Sequence, residues 1–141
     1  MKIILLIDDD PVSTIRISEI LQETGHCLRH ADDAERSKRM LGNTNLDLVI
    51  YHLSENQQHA DETLQSAVRS LSLRNIPLLC VIGRRSCPGA APEILGPKQY
   101  LVEPFTPNEL LNAVEDHLKR RDRDQTAAAR AWPPSPESKL G

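Results

Sequence analysis

Short apolar runs punctuate the chain, and between them apolar residues recur every three or four positions. Ile3, Ile4, Leu5, Leu6 and Ile7 form the first run. It is continuous and rich in β-branched side chains, which predicts a strand buried on both faces. Asp8, Asp9 and Asp10 end it. Asp10 is placed to cap the next helix, and Pro11 takes a first-turn position where its missing N–H costs nothing. Ile17, Ile20, Leu21 and Thr24 then repeat at helical spacing until Gly25 supplies the stop. The alternation continues with a strand over 27–30, a helix over 34–41 ending at Gly42 and an apolar strand over 46–53. A helix follows over 61–73, with Leu64, Ala67, Val68 and Leu71 on one face, then a buried strand over 77–82 and a brief strand over 100–102. Between the last two strands Pro88, Gly89 and Pro92 leave space for only a short helix before Gly96. Thr106, Pro107, Asn108 and Glu109 read as a capping box opening the last helix, whose apolar stripe is Leu110, Leu111, Val114 and Leu118.

Five strands alternating with helices predict an α/β fold, a parallel sheet covered on both faces, because parallel neighbours need helical crossovers. Such sheets carry their sites at the carboxyl ends of the strands, where the triple aspartate and His52 fall. After Arg121 the pattern dissolves into an alanine-rich stretch and then Trp132, Pro133, Pro134, Ser135 and Pro136. The expected organisation is one domain over 1–121 and a disordered, partly polyproline-like tail over 122–141. Trp132, the chain's one tryptophan, could fold back or enter a partner's groove, or simply belong to a passive tail.

Composition narrows the classes. At 141 residues there is room for one domain and a short appendage. A net charge of −3 and a pI near 5.9 offer no positive field for nucleic acid. Cys27, Cys80 and Cys87 form neither a C-x-x-C pair nor a metal-ligand cluster, and an odd, scattered set fits a reducing compartment. The apolar start is too short for a signal or membrane segment. A cytoplasmic protein with no membrane association is the expectation.

The acid pair Asp8 and Asp9 carries the first candidate chemistry. Adjacent carboxylates at a sheet edge repel each other unless a cation or donor compensates. They could be solvated turn residues, but they end a strand that reads as central and buried. Here the sequence resembles the receiver domains of response regulators from two-component systems. Ile4 to Pro11 resembles their opening strand and acid turn, and Asp47-Leu48-Val49-Ile50-Tyr51-His52-Leu53 their third strand. Ile76 to Gly83 resembles the fourth, and Tyr100-Leu101-Val102-Glu103-Pro104-Phe105 the last strand with its proline turn. The likeness covers roughly residues 1 to 120. It implies a doubly wound, flavodoxin-like sheet of strand order 2-1-3-4-5.

The resemblance also implies a chemistry. In such domains an acid pair binds Mg²⁺, an aspartate on strand three takes a phosphoryl group, a Thr or Ser on strand four binds it, and a Lys before the proline completes the contact. Asp8 and Asp9 fit the acid pair, and Tyr100 fits the aromatic that swings inward on activation. The acceptor position holds His52, the hydroxyl position Ile82 and the lysine position Glu103. An imidazole cannot form the acyl phosphate, and Ile82 cannot hydrogen-bond a phosphoryl oxygen. Glu103 would repel that group by about 1 to 4 kcal/mol at contact distance in a wet site.

The reading is therefore a degenerate receiver, a pseudo-receiver that is not an enzyme, requires no cofactor and binds proteins without phosphorylation. The resemblance places its partners on the face of helix four, strand five and helix five, with a second copy of the chain among the candidates. Two roles for the altered pocket follow. Glu103 and the acid pair could hold His52 protonated and lock one conformation. Alternatively Asp8, Asp9, Glu103 and His52 could ligate a divalent ion, Zn²⁺ or Mn²⁺ better than Mg²⁺. The runner-up function is a phosphoacceptor using His52 or a shifted acid such as Glu55 or Asp61. His26, His30, His59 and His117 read as surface or turn histidines.

Overall fold

A computed structural model describes residues 1–43, 45–53, 60–83 and 99–131. The elements are β1 (Ile3–Ile7), α1 (Pro11–Gln22), β2 (Cys27–Ala31), α2 (Ala34–Asn43), β3 (Leu48–Leu53), α3 (Ala60–Leu73), β4 (Leu78–Ile82), β5 (Tyr100–Val102) and α4 (Pro107–Ala131). The strands lie side by side in the order β2-β1-β3-β4-β5. Every pairing is parallel, with α1, α2 and α3 each standing between successive strands of the sheet. This is the doubly wound α/β sheet that the apolar runs predict.

Alternate residues of the central strands feed two cores. Leu5, Val49, Tyr51, Cys80 and Ile82 face α2 and α3, meeting Leu41, Leu64 and Leu71. Ile4, Leu6, Leu48, Ile50 and Val81 face α1 and α4, meeting Ile17, Leu21, Leu110, Val114 and Leu118. Burial on both faces explains why β1, β3 and β4 read as unbroken apolar runs. Among the described residues no helix is long and apolar enough to cross a membrane.

The helix starts follow their local signals. Asp10 caps α1, its side chain accepting from the Val12 amide at 3.1 Å, and Pro11 opens the first turn. At α4 the Glu109 amide donates to the Thr106 hydroxyl while the Thr106 amide donates to Glu109 Oε1, both at 3.2 Å, which is the reciprocal capping box. Gly25, at φ 73°, makes the left-handed turn after α1.

The tail boundary requires correction. Helix α4 does not stop near Arg121; it runs to Ala131, ten residues into the segment expected to be disordered. No glycine or proline interrupts residues 108–131, and alanine, arginine and glutamine there are strong helix formers. The extension is also tethered. Arg121 donates to the Asn75 carbonyl at 2.7 Å and reaches Asp47 at 3.4 Å, and Lys2 pairs with Asp122. The predicted short helix before Gly96, together with Cys87, lies outside the described residues, as do Glu55, His59 and residues 132–141. Gly42 sits inside α2 rather than ending it.

Candidate functional site

The carboxyl ends of β1, β3 and β5 converge on one buried imidazole. Asp8 follows β1, its amide still donating to the Ala31 carbonyl of β2 at 3.0 Å. His52 lies in β3 opposite Val81 of β4. Glu103 follows β5, its amide donating to the Ile82 carbonyl at 2.8 Å. The parallel register thus brings residues from three distant segments to the same level. His52 Nδ1 faces Asp8 Oδ1 at 3.1 Å, and its Nε2 faces Glu103 Oε1 at 2.6 Å. The His52 side chain is 5% exposed, that of Asp8 is fully buried and that of Glu103 is 29% exposed.

The geometry sets the charge. Ionised carboxylates only accept hydrogen bonds, so an imidazole held between two of them donates from both nitrogens and is an imidazolium. Burial works against that charge. The Asp8 hydrogen bond and charge, and then those of Glu103, outweigh it and raise the His52 pKa from 6.5 to about 8. For Asp8, burial alone would raise the pKa. The His52 hydrogen bond, the Asp10 amide at 2.9 Å, the Ser13 side chain and the His52 charge together hold it below the usual value. The pocket is a closed anion–cation–anion triad.

Several of these supports carried no sequence signal. Arg16 of α1 donates to the Phe105 carbonyl at 2.9 Å, and its guanidinium stacks 4.9 Å from the Phe105 ring centroid. It thereby holds the turn that carries Glu103. His30 is exposed, as its reading as a surface histidine expects, and its Nε2 also donates to the Asp8 carbonyl at 2.8 Å. His26 accepts from the Lys2 amide and approaches Glu115. His117 is buried, contrary to its reading as a surface histidine, because it falls on the inward stripe of α4. The i, i+3 spacing from Val114 was the available clue.

Solved structures share this architecture. The chain matches a CheY-like response regulator receiver domain protein from Methanospirillum hungatei JF-1 with a TM-score of 0.70 and 21% identity, over 88% of this chain and 98% of that one. It matches a response regulator receiver modulated diguanylate cyclase from Pelobacter carbinolicus with a TM-score of 0.70 and 24% identity, over 89% and 99% of the two chains. The fold is that of a receiver domain. A signal receiver domain of a putative Luxo repressor protein from Vibrio parahaemolyticus matches similarly, with a TM-score of 0.68 and 16% identity over 89% and 96%. No protein-family model and no curated protein matches the sequence.

On the receiver fold, the altered positions take definite places. Ile82 is fully buried in the core beneath α2 and α3. Tyr100, opposite Cys80 in the sheet, is half-buried and packs against that same core. Asp9 is exposed and lies outside the triad. The Mg²⁺ that the fold implies does not fit the residues present. Asp8 Oδ2 is buried without a hydrogen-bond partner among the described residues. However, the third ligand position holds an imidazolium that would repel a dication only one side chain away. The Zn²⁺ or Mn²⁺ set of Asp8, Asp9, Glu103 and His52 is likewise not assembled, because both His52 nitrogens point at carboxylates. Among the described residues no three His, Cys, Asp or Glu side chains are grouped to hold a metal.

Proposed function

We propose that this chain is a receiver-type module of two-component signalling that works by binding protein partners and does not take up a phosphoryl group. The observation that supports this reading most is the His52 ring, whose two nitrogens are both committed to carboxylates at 3.1 and 2.6 Å. A phosphoryl donor approaching position 52 meets an imidazole in place of a carboxylate nucleophile, with no free lone pair on the ring and the acid Glu103 beside it. The charge that activation would otherwise introduce is replaced by a permanent internal ion triad, which holds β1, β3 and the turn after β5 in one arrangement. The partner surface on this reading is the face carried by β5 and α4, where Val102 is 43% exposed, and no enzymatic step is required. A second copy of the chain is one partner to be tested there by sedimentation.

Incubation with acetyl phosphate or phosphoramidate in the presence of Mg²⁺, followed by intact mass measurement, tests the proposal. The expected result is an unchanged mass. A gain of one phosphoryl group would overturn it, and peptide mapping to His52 or to Asp61 would identify the acceptor.

A further inference from the structure

The two halves of the triad are supported in different ways. Asp8 is held by its own surroundings. Its side chain is fully buried and accepts from the Asp10 amide at 2.9 Å, with Ser13 also hydrogen-bonded to it. Its backbone is fixed as well, the amide on the Ala31 carbonyl at 3.0 Å and the carbonyl on His30 Nε2 at 2.8 Å. Glu103 has no such nest. Its side chain is 29% exposed, and among the described residues His52 is its only hydrogen-bond or ion-pair partner.

The place of the Glu103 carboxylate therefore depends on the turn that carries it. On one side the Glu103 amide closes the sheet ladder on the Ile82 carbonyl at 2.8 Å. Pro104 has no N–H to offer, so the next hold falls on Phe105. The Phe105 ring is buried in the core shared by α1 and α4. Its carbonyl accepts from Arg16 Nη2 at 2.9 Å, and the same guanidinium lies 4.9 Å from the ring centroid. One side chain of α1 thus grips the far end of the turn by a charge-assisted hydrogen bond and a cation–π contact. Little slack is available. His52 Nε2 and Glu103 Oε1 are 2.6 Å apart, and a shift of about 1 Å takes such a pair out of hydrogen-bond range. Arg16 is itself rooted on the exposed face of α1, beside Ile15 and one turn from Val12, which are 59% and 75% exposed.

We infer, on the reading of a closed His52 triad given above, that Arg16 is a positioning residue through which α1 governs the His52–Glu103 half alone. The Asp8 half serves as the internal reference. The full chain with ¹⁵N-labelled histidine is studied near pH 6, and the exchange of each His52 ring proton with water is measured by NMR. In the native chain both ring protons should be protected. Arg16→Ala should speed exchange of the Nε2 proton about tenfold, the worth of one charged hydrogen bond, and leave the Nδ1 proton as it was. Ile15→Ala, on the same exposed face, should change neither. A merely structural loss would open the whole ring to solvent and accelerate both protons together. That outcome overturns the inference, as does an Nε2 rate that Arg16→Ala leaves unchanged or that Ile15→Ala raises equally. In each of these cases a native ring with two protected protons leaves the proposed function standing. If the native ring carries one proton only, the triad is absent, and the proposed function loses its support together with the role of Arg16.

Discussion

Raising the pH through the His52 titration should remove a defined part of the folding stability. His52 has a pKa of about 8 in the folded chain against an ordinary value of 6.5. The folded state therefore binds the proton more tightly, and the gain is complete below 6.5 and lost as pH rises through 8. At about 1.4 kcal/mol per unit, the difference amounts to about 2 kcal/mol. Two other groups act in the same experiment. Asp8, whose pKa is lowered, adds stability above its ordinary 3.8 that disappears only as pH falls below it. His117, also lowered, adds stability above 6.5 that is lost on acidification, opposing the His52 trend. The informative quantity is thus the difference between the native chain and His52→Asn, which retains the other two groups. Urea unfolding from about pH 5.5 to 9 should give a difference that falls by about 2 kcal/mol, with direct ¹⁵N titration of the His52 ring alongside. A flat or rising difference, or a His52 ring that titrates at or below 6.5, would refute the closed triad.

Two further substitutions probe separate parts of the structure. Glu103→Gln keeps the shape and one hydrogen bond but removes a charge. It should cost about 1 to 3 kcal/mol near pH 6 and lower the His52 pKa, both readable in the same titrations. Thr106→Ala removes one half of the α4 capping box and should cost about 1 kcal/mol in urea unfolding, with no change in the His52 titration.

The parts of the fold that depend on local pattern were legible before any coordinates. Unbroken apolar runs marked β1, β3 and β4 because both faces of those strands are buried. Asp10-Pro11 and Thr106-Pro107-Asn108-Glu109 marked helix starts because their side chains satisfy amides within the same turn. An imidazole held by Glu103 and the Asp8–Asp9 pair was one of two roles that the receiver pattern suggested for His52; that Asp8 alone of the pair meets it, and through which ring nitrogen, was not legible. What remained hidden depends on tertiary contact. Arg16 on Phe105, His30 on the Asp8 carbonyl and Arg121 on Asn75 join segments far apart in sequence, and nothing local to either partner announces them. The length of α4 was misjudged for a related reason. Residues 122–131 lack an apolar stripe, so periodicity falls silent there, while helix propensity and the ties of Lys2 to Asp122 and Arg121 to Asn75 continue the helix without one.

The triad also predicts how strongly its members depend on one another. The receiver arrangement places an anion on strand three and a cation after strand five, and here the signs are exchanged in His52 and Glu103. Reverting one member alone cannot restore balance. His52→Asp would gather three carboxylates, from Asp8, position 52 and Glu103, around a volume that now holds one cation. Glu103→Lys would set a second cation against the imidazolium 2.6 Å from the present Glu103 oxygen. Each single change breaks a largely buried pair and should cost about 3 to 5 kcal/mol. The double change recreates an opposed pair of the reverse sign, so its cost should fall short of the sum by about 2 kcal/mol or more. Urea unfolding of the four chains near pH 6.5 measures that coupling. Additive costs would mean that His52 and Glu103 act separately, and the internal lock would then have no physical basis.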